Sequence, residues 1–150
     1  MSISLILLPL AVASVAAAHA ATDRDDEGRT VCQVRTRMRD ENLLAAALRD
    51  TGATVTAEAG ALSADWAGVR AEFRRDADEI WSAHLTGDVD EARATAIVQA
   101  VDAAYGRQVQ RAVVERLRDR APVAGLRLES EQVAEDTSVR LVFAVEGRSA

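Results

Sequence analysis

A chain of 150 residues suits one domain with a real but modest core. Hydrophobic residues make up 49% and charges of both signs are interspersed, which excludes an intrinsically disordered chain. With 18 basic against 24 acidic side chains the net charge is −6, a balance that repels a phosphate backbone unless a local basic stripe exists.

Every basic side chain is Arg; Lys is absent. Arg is suited to bidentate recognition of carboxylates and phosphates. The abundance of Ala favours the plainer reading, codon bias in a GC-rich genome. Cys32 is the sole cysteine, so a monomer forms no internal disulfide, which fits the cytoplasm without excluding export.

In chain order, the first feature is an apolar leader. Met1 to Thr22 carry no charged side chain, and charge then arrives abruptly at Asp23-Arg24-Asp25-Asp26-Glu27. Residues 1–22 are expected to form an apolar helix, since about twenty helical residues span a hydrocarbon core of roughly 30 Å. Three readings of this helix compete. Ala18-His19-Ala20 fits a signal-peptidase site, with cleavage near Ala20, although no Lys or Arg precedes Leu5. An uncleaved anchor through residues 3–21, followed by Arg24 and Arg29, places the following domain on the cytoplasmic side. A helix buried in the domain or in a homo-oligomer is the third.

Residues 23–29 read as a charged linker. Asp23 to Gly28 resembles the start of a calcium loop, but its twelfth position would be Val34, where a bidentate Glu is required. A single α+β domain is expected over 30–146, with a tail at 147–150. Cys32, Val34, Thr36 and Met38 alternate with polar residues as a half-buried strand. Asp40 is the expected N-cap of a short helix carrying Leu43, Leu44, Ala47 and Leu48, ended by Gly52. Four strands follow, over Ala53–Glu58, Leu62–Trp66, Val69–Arg74 and Trp81–Thr86.

Asp88, with Glu91 three residues on, reads as the cap of a long helix running to Arg120, before Pro122. Its expected apolar stripe is Ile97, Val101, Tyr105, Ala112, Val113 and Leu117, with Gly106 weakening the middle. A closing hairpin opens at Leu126 and Leu128 and ends with Val139, Leu141, Phe143 and Val145. The predicted order is β-α-β-β-β-β-α-β-β, a mainly antiparallel α+β sheet with one short and one long helix.

Three stretches carry a family resemblance: Val34 to Leu44, Ala104-Tyr105 through Val114, and Gln132 to Val142 with Ser138-Val139-Arg140-Leu141-Val142. Together they resemble the conserved cyanobacterial and plastid reading-frame family called "ycf thirty-five-like", over about residues 30–145. The family has no assigned catalytic residues, so none is carried over. The resemblance implies an accessory role beside AAA+ ATPases and membrane proteases. The leader departs from the plastid members, which start directly at the strand.

The sequence holds no phosphate-binding Gly-rich loop, no Cys-x-x-Cys, no His-Glu-x-x-His and no nucleophile elbow. No cofactor or metal ligands are therefore assigned. His84 is the one candidate acid–base group, on the strand face opposite Trp81 and Leu85. Asp76, Asp78 and Glu79 read as a carboxylate pair or as a solvated turn, and Trp66, Phe73 and Trp81 as a pocket lining or as core. The long helix has a charged face of Arg93, Arg107, Arg111, Arg118 and Arg120 with Glu91, Asp102, Glu115 and Asp119. The expectation is a non-enzymatic, membrane-associated adaptor acting by protein–protein contact. A secreted ligand-binding domain and an enzyme using His84 are the alternatives.

Overall fold

A computed structural model describes residues 2–7, 21–24 and 30–147. The described chain is α+β, with two helices and two antiparallel sheets. It divides into two compact units, residues 12–105 and residues 1–11 with 106–150.

The 12–105 unit is a six-stranded sheet of β2 (Ala21–Arg24), β3 (Thr30–Arg35), β7 (Trp81–Gly87), β6 (Val69–Arg75), β5 (Ala61–Trp66) and β4 (Thr54–Glu58), in that spatial order. Period-two alternation puts Val69, Ala71 and Phe73 of β6 and Trp81, Ala83 and Leu85 of β7 on one buried face, as predicted. Cys32 and Val34 of β3 join the same core, which also contains Leu44 and Leu48 of α1 (Glu41–Asp50). Asp40 caps α1 as expected, its carboxylate accepting the Leu43 N–H at 2.9 Å. Beyond α1, Gly52 takes the left-handed φ of +86°.

The first predicted strand is shorter than its alternation implied. β3 stops at Arg35, and the chain onward to buried Met38 is tied to the start of β7 instead: Thr36 N–H donates to the Trp81 carbonyl at 3.2 Å and Trp81 N–H to the Met38 carbonyl at 3.0 Å.

Helix α2 (Glu91–Arg120) starts later than predicted. Asp90, not Asp88, is its cap: the Asp90 carboxylate accepts the Arg93 N–H at 2.7 Å. Asp88 is still held by the sheet, donating its N–H to the Gly68 carbonyl at 2.8 Å. Here β7 passes so close to the β5–β6 turn that a Cβ on Gly87 would lie 2.5 Å from the Gly68 oxygen. Residues 91–105 of α2 cover the six-stranded sheet through buried Ala94, Val98 and Val101.

The second unit contains the remaining half of α2, β1 (Ser2–Leu7), β8 (Leu126–Val133) and β9 (Val139–Val145), with strand order β1-β9-β8. Its core is small: Val114, Ala121, Val139, Leu141 and Phe143, with Leu7, Leu117, Leu126 and Leu128 packed against it. Val114 is buried and Val113 is 38% exposed, so the predicted stripe was one residue out of phase here. An Ala-rich, Val-paired stretch offers two overlapping stripes, and the hairpin selects one.

The expected apolar helix over 1–22 is not present where the structure describes it. Ser2–Leu7 is a strand, paired antiparallel to β9 from Ser2↔Ala144 to Leu7↔Val139. Residues 8–20 lie outside the described residues, as do residues 25–29 of the calcium-loop-like stretch. Ala21–Arg24 pairs with β3 where the linker was expected to begin. Ser2 and Ser4 alternate with Ile3 and Leu5, a strand period that the length of the uncharged run concealed. No helix among the described residues is long and apolar enough to cross a membrane.

Candidate interaction surface

Beyond Gly106, α2 and the end of the β8–β9 hairpin enclose an open groove of about 280 Å³, entirely within the second unit. Buried Val114 and Val139 give it an apolar floor, and exposed Val133 also lines it. Arg107, Arg111 and Glu115 follow at one-turn spacing along one side of α2, so their side chains rise from a single stripe. Arg118, a further turn along, is committed: its guanidinium pairs with Glu131 of β8, with Nε 3.1 Å from Oε2. That carboxylate raises the Arg118 pKa. Among the described residues, neither Arg107 nor Arg111 has a carboxylate within 4 Å.

The far wall is a fastened turn. Asp136 accepts both the N–H and the hydroxyl of Ser138, at 3.0 and 2.6 Å. Thr137 adopts a φ of +64°, an unfavourable conformation for a β-branched residue. Gln110 holds it there, donating to the Thr137 carbonyl at 2.9 Å and to the Leu7 carbonyl at 3.1 Å. Gln110 and Thr137 gave no signal in the sequence, because their roles come from a contact across the fold rather than from local pattern.

The predicted charged face of α2 is thus divided in use. Arg93 pairs with Asp88 at 3.2 Å. Asp102 receives Arg37 bidentately, at 3.1 and 2.9 Å. Arg107, Arg111, Glu115 and Arg118 line the groove, and Arg120 does not.

His84 lies on the sheet face opposite Trp81 and Leu85, in a polar row with Gln33 on one side and Glu72 on the other. Its Nδ1 is buried and makes no hydrogen bond in the structure. Asp76, Asp78 and Glu79 lie apart from it, since Asp76 follows Glu72 by four positions, roughly 13 Å along an extended strand. They form a turn: the Asp76 carboxylate accepts the N–H groups of Asp78 and Ile80 at 2.9 and 3.0 Å. Arg35 reaches Asp76 and Asp78 at 3.2 Å each, and Glu79 pairs with Arg75 at 2.9 Å.

Phe73 and Trp81 are core residues. Trp66 is half-buried, and its indole N–H donates to the Thr51 hydroxyl at 3.2 Å. Cys32 is fully buried, and burial, reinforced by the charges of Glu91 and Asp90, raises its thiol pKa, which suppresses the nucleophilic thiolate. No group of three or more His, Cys, Asp or Glu residues among those described could hold a metal ion.

The two turn carboxylates carry a pH dependence. The Ile80 N–H chiefly lowers the Asp76 pKa, and the Ser138 hydroxyl chiefly lowers that of Asp136. A carboxylate with a folded-state pKa below its unfolded value stabilises the fold above the ordinary Asp range, near about 3.9. That contribution is lost as pH falls through the folded-state value. Urea midpoints should therefore drop in acid, and Asp76→Asn with Asp136→Asn should flatten that dependence.

Comparison with protein-family models, with curated proteins and with solved structures gives no match.

Proposed function

We propose that this chain is a non-enzymatic accessory module that docks another protein through the groove between α2 and the β8–β9 hairpin. The occupant is an extended segment of the partner carrying acidic side chains beside apolar ones. The observation behind this reading is the pair Arg107 and Arg111, one helical turn apart, without a carboxylate partner among the described residues and above a valine floor. Guanidinium groups take carboxylates bidentately, and an apolar floor beneath them excludes water from the contact. The family resemblance points to an AAA+ ATPase or a membrane protease as the source of that segment.

Membrane association through residues 3–21, with the rest of the chain on the cytoplasmic side, belongs to the same proposal. It excludes the pairing of Ser2–Leu7 with β9 in the same molecule. Residues 8–20 alone would reach only roughly 20 Å as a helix, short of a bilayer core. A membrane-inserted form therefore needs β1 to leave its sheet.

The groove is tested with a labelled peptide of alternating Glu and Leu, followed by fluorescence anisotropy. Arg107→Ala with Arg111→Ala should weaken binding by at least about tenfold, and added salt should weaken wild-type binding. Arg116→Ala with Arg120→Ala, on the same helix but outside the groove, is the control. Equal loss in both double variants, or none in either, would sink the assignment.

A further inference from the structure

Among the described residues, the sheet β1-β9-β8 ends in two edges of opposite character. The β8 edge carries Arg127, Glu129 and Glu131, and its register shifts between Leu128 and Ser130. Charge and an irregularity of this kind blunt an edge against further pairing. The β1 edge has neither device. Ser2–Leu7 contains no charge and no proline, and Ile3, Leu5 and Ile6 are 47%, 40% and 63% exposed. At the edge of the larger sheet, β4 is five residues long and carries Thr54, Thr56 and Glu58.

We propose that β1 is a self-docking edge, pairing antiparallel with β1 of a second copy about a two-fold axis normal to the sheet. Two three-stranded sheets then become one of six strands, β8-β9-β1 continuing into β1-β9-β8. The second copy is the favoured occupant because an uncharged strand meets itself without repulsion and a two-fold contact requires a self-complementary surface. This axis preserves the two faces, so paired positions must have the same parity. Centring on Ser4 sets Ile3 against Leu5 of the second copy and Ser2 against Ile6. Ile3 and Leu5 then cover one another, and Ile6 lies beside Ser2 of the second copy.

Sedimentation velocity on the full chain in detergent-free buffer reads the outcome across a concentration series. Wild type should show a dimer, and Ser4→Lys with Ile6→Lys should be monomeric. Those two positions pair with Val142 and Arg140, on the face away from Leu141 and Phe143, so the hairpin core is left intact. As a second measurement, Ser4→Cys should form an intermolecular disulfide on oxidation while buried Cys32 stays reduced. Gln132→Cys, on the blunted β8 edge, should not. A wild-type monomer at every concentration, a dimer indifferent to the lysines, or equal crosslinking at Gln132→Cys would overturn the proposal. So would a monomer that floats with phosphatidylglycerol vesicles, which would assign the strand to lipid instead.

Discussion

Trp81→Ala should cost the 12–105 unit about 3–5 kcal/mol, the usual range for removing a fully buried aromatic side chain. Trp81 heads the largest fully buried side chains and opens β7, which lies between β3 and β6. Its backbone receives Thr36 and reaches Met38, and its indole N–H donates to the Arg39 carbonyl at 3.3 Å. The Arg75 guanidinium sits 4.9 Å from the ring centroid, a cation–π contact. Truncation removes the ring's packing, leaves a cavity where three strands meet and takes away one of the two donors to the Arg39 carbonyl, the Arg75 guanidinium at 3.4 Å being the other. Trp81→Phe keeps most of the volume and loses the N–H, so it should fall well short of the alanine effect. Urea unfolding followed by far-ultraviolet circular dichroism separates the two. A loss below about 1.5 kcal/mol for Trp81→Ala would contradict the assigned burial.

Gly87→Ala should be the second large loss, and Gly52→Ala measures how much of it is steric. Both positions have positive φ, +103° and +86°. A side chain in that region costs roughly 1–3 kcal/mol. Around Gly52 nothing lies within 4 Å of the added carbon, so only that conformational cost applies. At Gly87 the new carbon would meet the Gly68 carbonyl oxygen at 2.5 Å, and a backbone atom cannot swing aside as a side-chain tip can. Either the Val69↔Gly87 pair opens or the β5–β6 turn shifts, and Asp88 loses its hydrogen bond to Gly68 in either case. Thermal melts of the two variants should place Gly87→Ala clearly below Gly52→Ala. Equal melting temperatures would mean that the close approach is not maintained in solution.

Much of the fold could be read from local pattern. The order of elements from β3 to β9 follows from alternation at Val69, Ala71 and Phe73 and again at Trp81, Ala83 and Leu85. Asp40 and Gly52 mark the ends of α1 for reasons confined to a few neighbouring residues. Three features needed partners far along the chain. Ser2–Leu7 becomes a strand because β9 offers it an edge more than a hundred positions away. The choice between Val113 and Val114 is made by the hairpin packed on α2. At the groove, the two open arginines lay on a face visible in the helical period. The engagement of Arg118 by Glu131 and the holding of Thr137 by Gln110 could not be seen there.

The placement of Cys32 has a bearing on the lifetime of the molecule. Its sulfur lies in the core between the sheet and the helices, where solvent enters only when that packing opens. An oxidant therefore reaches it no faster than the sheet breathes, and damage at this atom is timed by rare openings of the protein rather than by the reagent's own appetite for sulfur.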